Sequence, residues 1–466
     1  MGTHAATMRV RAGVRSSPLL LHAGTPPTAA AAESGMRTLV TGSSGHLGEA
    51  LVRTLRARGA DVVSLDSRPS RYTNIVGCVS DRALLRDVMA GVEVVFHAAA
   101  HHKPQLAFLP RQAFLDTNII GTQTVLDAAV AANVRAFVMT SSTTVFGDAL
   151  TPPADQPAAW IDESVTPIPK NIYGVTKASS EDLCQLAHRN DGLACVVLRV
   201  ARFFVEGDDM PDLYDGRSQD NIKANEYACR RVALEDAVDA HLNAAQRAPQ
   251  LGFGRYLVSA TTPFTRDDLT QLRTDAASVF ARRVPLAAAV WTQRGWRFPD
   301  RLDRVYVNSR ARRDLNWRPR FDLNAVAARL ARGQSVHTPL SQLVGSKAYA
   351  HSSYHRGVFA PPGPDGLGVY GCAALWRVAL TAGGQSGSSS SSWLWRNRSG
   401  WWKVLVRGWP WSRWGGGSHS VWPWVLLWVV QPFSASRLSG PQARVSSVMS
   451  VRPVLVQAVT WWAWLW

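Results

Sequence analysis

The sequence predicts an α/β protein built on a doubly wound parallel sheet. Three observations carry that expectation. Short apolar runs of strand length alternate with longer runs of helical period from residue 37 to about residue 200. A glycine-rich turn, Thr41-Gly42-Ser43-Ser44-Gly45-His46-Leu47-Gly48, joins the first strand to the first helix. Other small-residue segments, Ala98-Ala99 and Ser141-Ser142, also follow directly on strands, so they converge on the carboxyl edge where open α/β sheets bind ligands.

The expected strands are Arg37–Val40, Val62–Leu65, Val94–Phe96, Phe137–Thr140 and Cys195–Leu198. Phe114–Ala132 and Tyr173–His188 have helical spacing. Beyond residue 200 the pattern loosens. Ala233–Arg247 reads as helix, Arg255–Ser259 as a short strand, and Arg266–Ala277 as helix again. No internal repeat is visible.

Glycines at 42, 45 and 48 allow a tight turn and close approach of the backbone to a pyrophosphate. Leu47, Leu51, Val52 and Leu55 then open a helix whose N-terminus presents N–H groups and a positive dipole end. The second strand ends at Asp66, roughly 20 residues on, where a carboxylate accepts hydrogen bonds from an adenosine ribose. The motif therefore points to a dinucleotide. Asp66 favours NAD because its charge repels a 2′-phosphate, while Arg68 and Arg71 leave NADP open.

Tyr173 and Lys177 stand four residues apart on a helix and share a face. A free phenol is a poor base at neutral pH. An ammonium beside it, together with the positive nicotinamide ring of a bound cofactor, is expected to favour the phenolate and lower its pKa.

These segments together resemble the extended short-chain dehydrogenase/reductase family, its NAD-dependent epimerase/dehydratase group. The resemblance runs over about residues 36–350. It rests on the Gly42/Gly45/Gly48 turn, Val95–Ala100, Asp116–Thr122, Thr140–Gly147, Asn171–Lys177 and Arg310–Pro319. It implies a Rossmann-type domain over residues 36–200 and a smaller, mostly helical substrate lobe, with interleaved Rossmann elements, over 201–350. It implies NAD held by Gly42, Gly45, His46, Leu47, Gly48, Asp66, Ala98, Ala99, Asn118, Tyr173 and Lys177. Ser142, Tyr173 and Lys177 become the catalytic set, with Thr143 in reserve for Ser142 should the register slip by one. The implied reaction is proton removal from a sugar or nucleotide-sugar hydroxyl, with a hydride passing to the nicotinamide. The implied assembly is a homodimer through Phe114–Ala132 and Tyr173–His188.

Departures from the family pattern bear on the substrate. Family dehydratases carry Asp-Glu after the catalytic hydroxyl, whereas this chain has Thr143-Thr144, which disfavours dehydration. Arg202 stands near the place of an asparagine that holds a nucleotide-sugar phosphate. Arginine can clamp a phosphate or carboxylate with two hydrogen bonds, or pair with Asp208 or Asp209. Cys78 stands where an acid is common in the adenine pocket. The rival class is a non-catalytic NAD(P)-binding sensor or scaffold on the same fold; the intact Ser142/Tyr173/Lys177 set speaks against it.

Composition sets further bounds. The chain has 466 residues and a net charge of +17, but the charge is uneven. Residues 361–466 hold nine bases and one acid, Asp365, and residues 1–35 three bases and Glu33. The basic balance is thus partly a property of the two ends, and no nucleic-acid motif accompanies it. The five cysteines are odd in number and fit neither a zinc site nor a redox pair, which suits a reducing compartment. His97, His101 and His102 cluster beside Lys103, but the resemblance places His97 at a strand end without metal, so no metal is expected. His102 and Lys103 remain candidates for substrate contact or for surface placement.

Residues 1–35 are poor in acids and read as an organelle transit peptide or as an extended gene model with the start at Met36. The expected location is cytoplasmic or, with a transit peptide, organellar. Residues 351–466 read as a low-complexity tail, disordered or out-of-frame, with an interfacial membrane tail as the alternative. Ser386 and Ser388 to Ser392 lie there, as do fifteen of the nineteen tryptophans. Its longest apolar run, Val421–Val430, is too short to span a bilayer, which takes about 20 residues.

Overall fold

The computed structural model describes residues 35–207 and 216–347 together with the strands 391–397, 400–407 and 426–433. The expectations for residues 1–34 lie outside the described residues, as does the pairing of Arg202 with Asp208 or Asp209. The chain divides into two units, Met1–Gly368 and Val369–Trp466.

In the first unit β1 (Arg37–Thr41), β2 (Asp61–Asp66), β3 (Ile75–Val76), β4 (Val94–His97) and β5 (Ala136–Ser142) lie in one sheet. After β6 (Ala159–Ile161), β7 (Cys195–Val200) and β8 (Phe253–Val258) complete it. Its order is β3-β2-β1-β4-β5-β7-β8, all neighbours parallel. The order reverses beside β1, and the glycine turn leaves β1 at that point, where ligands enter such sheets. The β1, β4 and β7 strands are buried apolar runs, as parallel strands covered on both faces must be.

Helices cover both faces. They are α1 (His46–Ala57), α2 (Arg82–Val88), α3 (Arg111–Phe114), α4 (Gly121–Ala131), α5 (Ile172–Asp191) and, after α6 (Gln219–Glu226), which packs in the later lobe, α7 (Leu234–Leu251). The expected helix Phe114–Ala132 is not uniform: a π-helical turn, Leu115–Ile120, joins α3 to α4. One core cluster packs α1 and α7 on one face of the sheet, with Leu51, Leu55, Val138 and Leu198 fully buried. The other face buries Val95, Phe137 and Val197 beneath α2, α4 and α5.

The lobe has its own core, with Phe280, Trp291, Val305 and Val326 at its centre. It contains α8 (Leu269–Thr274), α9 (Ala276–Arg283), α10 (Pro285–Arg294), β9 (Arg304–Tyr306) and α12 (Leu323–Ala331), while α11 (Ser309–Asp314) and α13 (Pro339–Val344) pack back on the main-sheet core. β6 and β9 pair in parallel within it. The expected helix Arg266–Ala277 breaks at Asp275, whose side chain instead accepts the Ser278 N–H and starts α9. β8 and α7 return to the main sheet.

In the second unit β10 (Ser391–Asn397), β11 (Gly400–Arg407) and β12 (Leu426–Phe433) form an antiparallel sheet. The sequence reading expected no strand there. Residues rich in Trp, Val and Leu favour strands even without an alternating period. Among the described residues no helix is long and apolar enough to cross a membrane.

Candidate active site

The glycine turn is built by contacts that only glycine permits. Gly42 has φ +77°, and a Cβ there would stand 2.6 Å from the Ala99 nitrogen. A Cβ on Gly48 would lie 2.0 Å from the Gly42 carbonyl oxygen. Gly45 caps α1 without a side-chain hydrogen bond, and the first bond inside the helix is Glu49 N–H to Gly45 O, 2.9 Å. The N–H groups of His46, Leu47 and Gly48 thus precede the helical ladder and face the edge where phosphates bind. The Leu47 side chain is part of the core, so it can serve a ligand through its backbone only.

Asp66, at the end of β2, accepts the Ser44 N–H at 2.9 Å and the Arg68 N–H at 2.9 Å, one on each oxygen. A carboxylate oxygen accepts more than one bond, so capacity remains for ribose hydroxyls. The cradle, the helix end and Asp66 together fit a dinucleotide. Arg71 lies over the Tyr72 ring at 5.3 Å.

His97 closes β4. Its Nδ1 is 2.9 Å from Thr41 Oγ1 and its Nε2 3.0 Å from Thr122 Oγ1. Burial pushes its pKa down to about 3, and the Lys177 charge pushes the same way. Both nitrogens are occupied by threonines, which makes it a satisfied core histidine. Among the described residues no three His, Cys, Asp or Glu side chains gather in a way that could hold a metal. His102 is half-buried, and burial followed by the nearby His46, His101 and Arg68 lowers it to about 3.

Asn118 occupies the π-helical turn, a feature often found at functional sites. Its amide donates to His101 O and to Thr176 Oγ1, each 2.9 Å, and its oxygen accepts the His101 N–H at 2.8 Å. The resemblance implied cofactor contact. In this structure the amide ties the loop after β4 to α5.

Tyr173 lies in the first turn of α5, which Asn171 caps by accepting the Gly174 N–H at 2.9 Å. Ser142, the last residue of β5, stands beside the Tyr173 phenol and acts to lower its pKa. Ser142 Oγ also accepts the Thr144 N–H at 3.1 Å and so caps the turn that follows. Ser142, not Thr143, therefore meets the tyrosine; Thr143 is buried beside it. Tyr173 and Lys177 are both buried. Burial raises the phenol to about 12, against the pull of Ser142. It lowers the Lys177 ammonium to about 8, while Cys184 and Glu181 act in the opposite direction. Burial is the largest cause acting on the phenol, because loss of water disfavours the phenolate.

Arg202 follows β7 at the same edge. Its guanidinium lies 3.2 Å from Glu226 and 5.4 Å from the Phe204 ring centre. Arg230 and Arg231 share the same carboxylate at 2.7 and 3.0 Å. Burial alone would raise Glu226, but the three guanidiniums bring it down to about 2. Cys78 is exposed, with its sulfur 3.0 Å from Ser80 Oγ.

Sequence reasoning missed two parts of this edge. His46 Nε2 lies 3.0 Å from Glu206, which also accepts the Lys347 N–H at 2.7 Å. Glu181, on α5, joins Ser141, Arg199 and Arg255 beneath that helix. Buried charges paired over long sequence distances leave no local signal.

Residues 38–217 match the model of the NAD dependent epimerase/dehydratase family. They belong to that family. NAD is its cofactor, and the Rossmann-type sheet agrees with the match. A ketoreductase of Stigmatella aurantiaca, acting on 4-hydroxy-2-methyl-3-oxo-4-farnesyl-3,4-dihydroquinoline-1-oxide, is 32% identical over 46% of this chain and 66% of its own. A dTDP-glucose 4,6-dehydratase of Streptomyces niveus is 32% identical over 35% of this chain and 53% of its own. A UDP-glucose 4-epimerase of Rhizobium meliloti is 28% identical over 62% of this chain and 94% of its own. The solved UDP-glucose 4-epimerase of Thermotoga maritima aligns with a TM-score of 0.44 at 20% identity, over 64% of this chain and 99% of its own. The chain spans 39%, 66% and 45% of the length of three further-matching relatives, the ketoreductase among them.

Proposed function

We propose that the chain catalyses NAD-dependent hydride transfer at a sugar or nucleotide-sugar hydroxyl carbon, as an epimerase or a dehydrogenase. The observation that supports it is the meeting of Ser142 and Tyr173 on the sheet edge that carries the Gly42 turn. NAD held there supplies the hydride acceptor and a positively charged ring. The first-turn N–H groups of α1 and Asp66 would hold it, with Ala98 and Ala99 at the floor. Ser142 fixes the substrate oxygen. Tyr173 takes the hydroxyl proton, and Lys177 keeps a positive charge beside the phenolate that results.

Arg202 is the residue we assign to substrate charge. Its pairing with Glu226 leaves a guanidinium that is 24% exposed at the ligand edge. That placement suits a diphosphate or a uronate. Thr143-Thr144 in place of an acid pair argues against dehydration. A homodimer agrees with the exposed Ile120, Val175 and Leu186, since Val175 and Leu186 share one face of α5.

The test supplies NAD with UDP-hexoses, free hexoses and uronates, and follows nicotinamide absorbance together with sugar configuration. Net NADH marks a dehydrogenase; altered configuration without net NADH marks an epimerase. NAD binding with neither outcome, and unchanged biological activity for Tyr173→Phe, would sink the enzymatic reading in favour of a sensor.

A further inference from the structure

We propose that Glu181 is a positioning residue of this site: from α5 it binds three neighbouring strands to the helix face that carries Tyr173 and Lys177. The inference rests on the catalytic reading of those two residues. Tyr173, Lys177 and Glu181 succeed one another at intervals of four, so they lie along one side of α5, and all three are buried.

The carboxylate meets a partner from each strand. Ser141 on β5 donates to Glu181 Oε1 at 2.6 Å. Arg199 on β7 places its Nη2 2.8 Å and its Nε 3.2 Å from Oε2. Arg255 on β8 places its Nε 3.2 Å from Oε2, while its Nη2 reaches Asp182 at 2.7 Å. Ser141 and Arg199 are register partners on adjacent strands. The far side of Arg199 lies over the Phe146 ring at 5.0 Å. One side chain thus fixes the end of β5, and the next residue on that strand is Ser142.

A fastener alone does not need charge, because an apolar pair of similar volume holds a helix to a sheet as well or better. What the charge adds is its place one turn beyond Lys177. The groups acting on that ammonium are few. His97 on β4 is held neutral in the physiological range, and Cys184 on α5 is a buried thiol whose pKa is raised. Glu181 is the carboxylate among them, and it favours the charged lysine that burial opposes.

The full chain contains six lysines, so 13C labelling at lysine Cε gives a spectrum in which Lys177 is assigned by Lys177→Arg. Two variants separate the two roles. Glu181→Met with Arg199→Met removes both charges together and leaves Arg255 its Asp182 partner. Lys177 should then titrate roughly one pH unit lower than in the wild type, a tenfold loss of proton affinity. Ser141→Ala keeps the charge, so the Lys177 midpoint should stay, while amide exchange at Ser142 and Thr143 should quicken about tenfold. An unmoved Lys177 midpoint in a folded double variant overturns the electrostatic role. Unchanged exchange at Ser142 overturns the positioning role, and it decides alone if the double variant does not fold. Neither readout needs turnover, so failure of the catalytic reading, tested by Tyr173→Phe, stays distinguishable.

Discussion

Gly42 and Ala99 approach so closely that the space between their backbones cannot hold one methyl group. Gly42→Ala must therefore move the loop after β4 and also adopt φ near +77°, which L residues resist. The expected cost is about 2–4 kcal/mol from overpacking and strain together. NAD affinity should fall at the same time, because the displaced loop is the proposed cofactor floor. Thermal unfolding and NAD calorimetry check this; an unchanged Tm with intact NAD binding would refute it.

Tyr173→Phe should leave the fold intact. The ring stays buried and only the hydroxyl contact to Ser142 is lost. Turnover should fall by at least about 100-fold, the usual worth of a positioned acid–base group. NAD binding should change little. A variant that keeps more than a tenth of wild-type turnover would remove Tyr173 from the mechanism.

Acid should destabilise the protein first through its buried histidines, opposed in part by buried Asp236, whose carboxyl is raised by burial to about 6. His97 and His241 are fully buried, with pKa values lowered by burial to about 3 and about 4. Their folded values lie below that of an exposed histidine, so the unfolded chain takes up protons first as pH falls. The stability they contribute is complete above about pH 6.5 and is lost as pH drops through the folded values. At pH 5 each should cost on the order of 2 kcal/mol. Glu206 and Glu226, both lowered to about 2, add a loss of the same sign below about pH 4.5. Urea unfolding at pH 7 and pH 5 measures the difference; less than about 1 kcal/mol between them would contradict the burial argument.

Arg202→Asn should raise KM for the accepted nucleotide-sugar by about 10- to 100-fold, the worth of a charge-assisted hydrogen bond, with kcat nearly unchanged. The fold tolerates the change because Glu226 keeps Arg230 and Arg231. Steady-state kinetics decide. An unchanged KM would return Arg202 to a purely structural pairing with Glu226.

Six strands of the main sheet were legible in the sequence to within about two residues, because buried parallel strands are largely continuous apolar runs. β3, with two residues, and the β6–β9 pair are too short to carry a period. The helix expected over Phe114–Ala132 is present in extent, yet apolar spacing did not disclose its π-helical turn. The glycine turn, Asp66 and the Tyr173–Lys177 pair stand out as candidates because backbone geometry and short spacing define them, whereas Ser142 stands out only through the family resemblance. The direction of the Tyr173 shift was not legible, since it depends on burial and not on neighbours in sequence. The Glu181 and Glu206 networks were equally hidden, their partners lying up to 160 residues away, as His46 does from Glu206.

The π-helical turn at Leu115–Ile120 gives this segment an unusual intolerance of length change. A π turn holds one residue more than the α-helical turn it replaces, so removing any one residue there would restore regular winding. The price would be a rotation of about 100° of everything on one side of the cut. Asn118 would swing away from His101 and Thr176, and the helix would become more regular as the site came apart. Substitutions on the exposed side of this helix should be accepted freely in related sequences, whereas single-residue gaps should be absent from it.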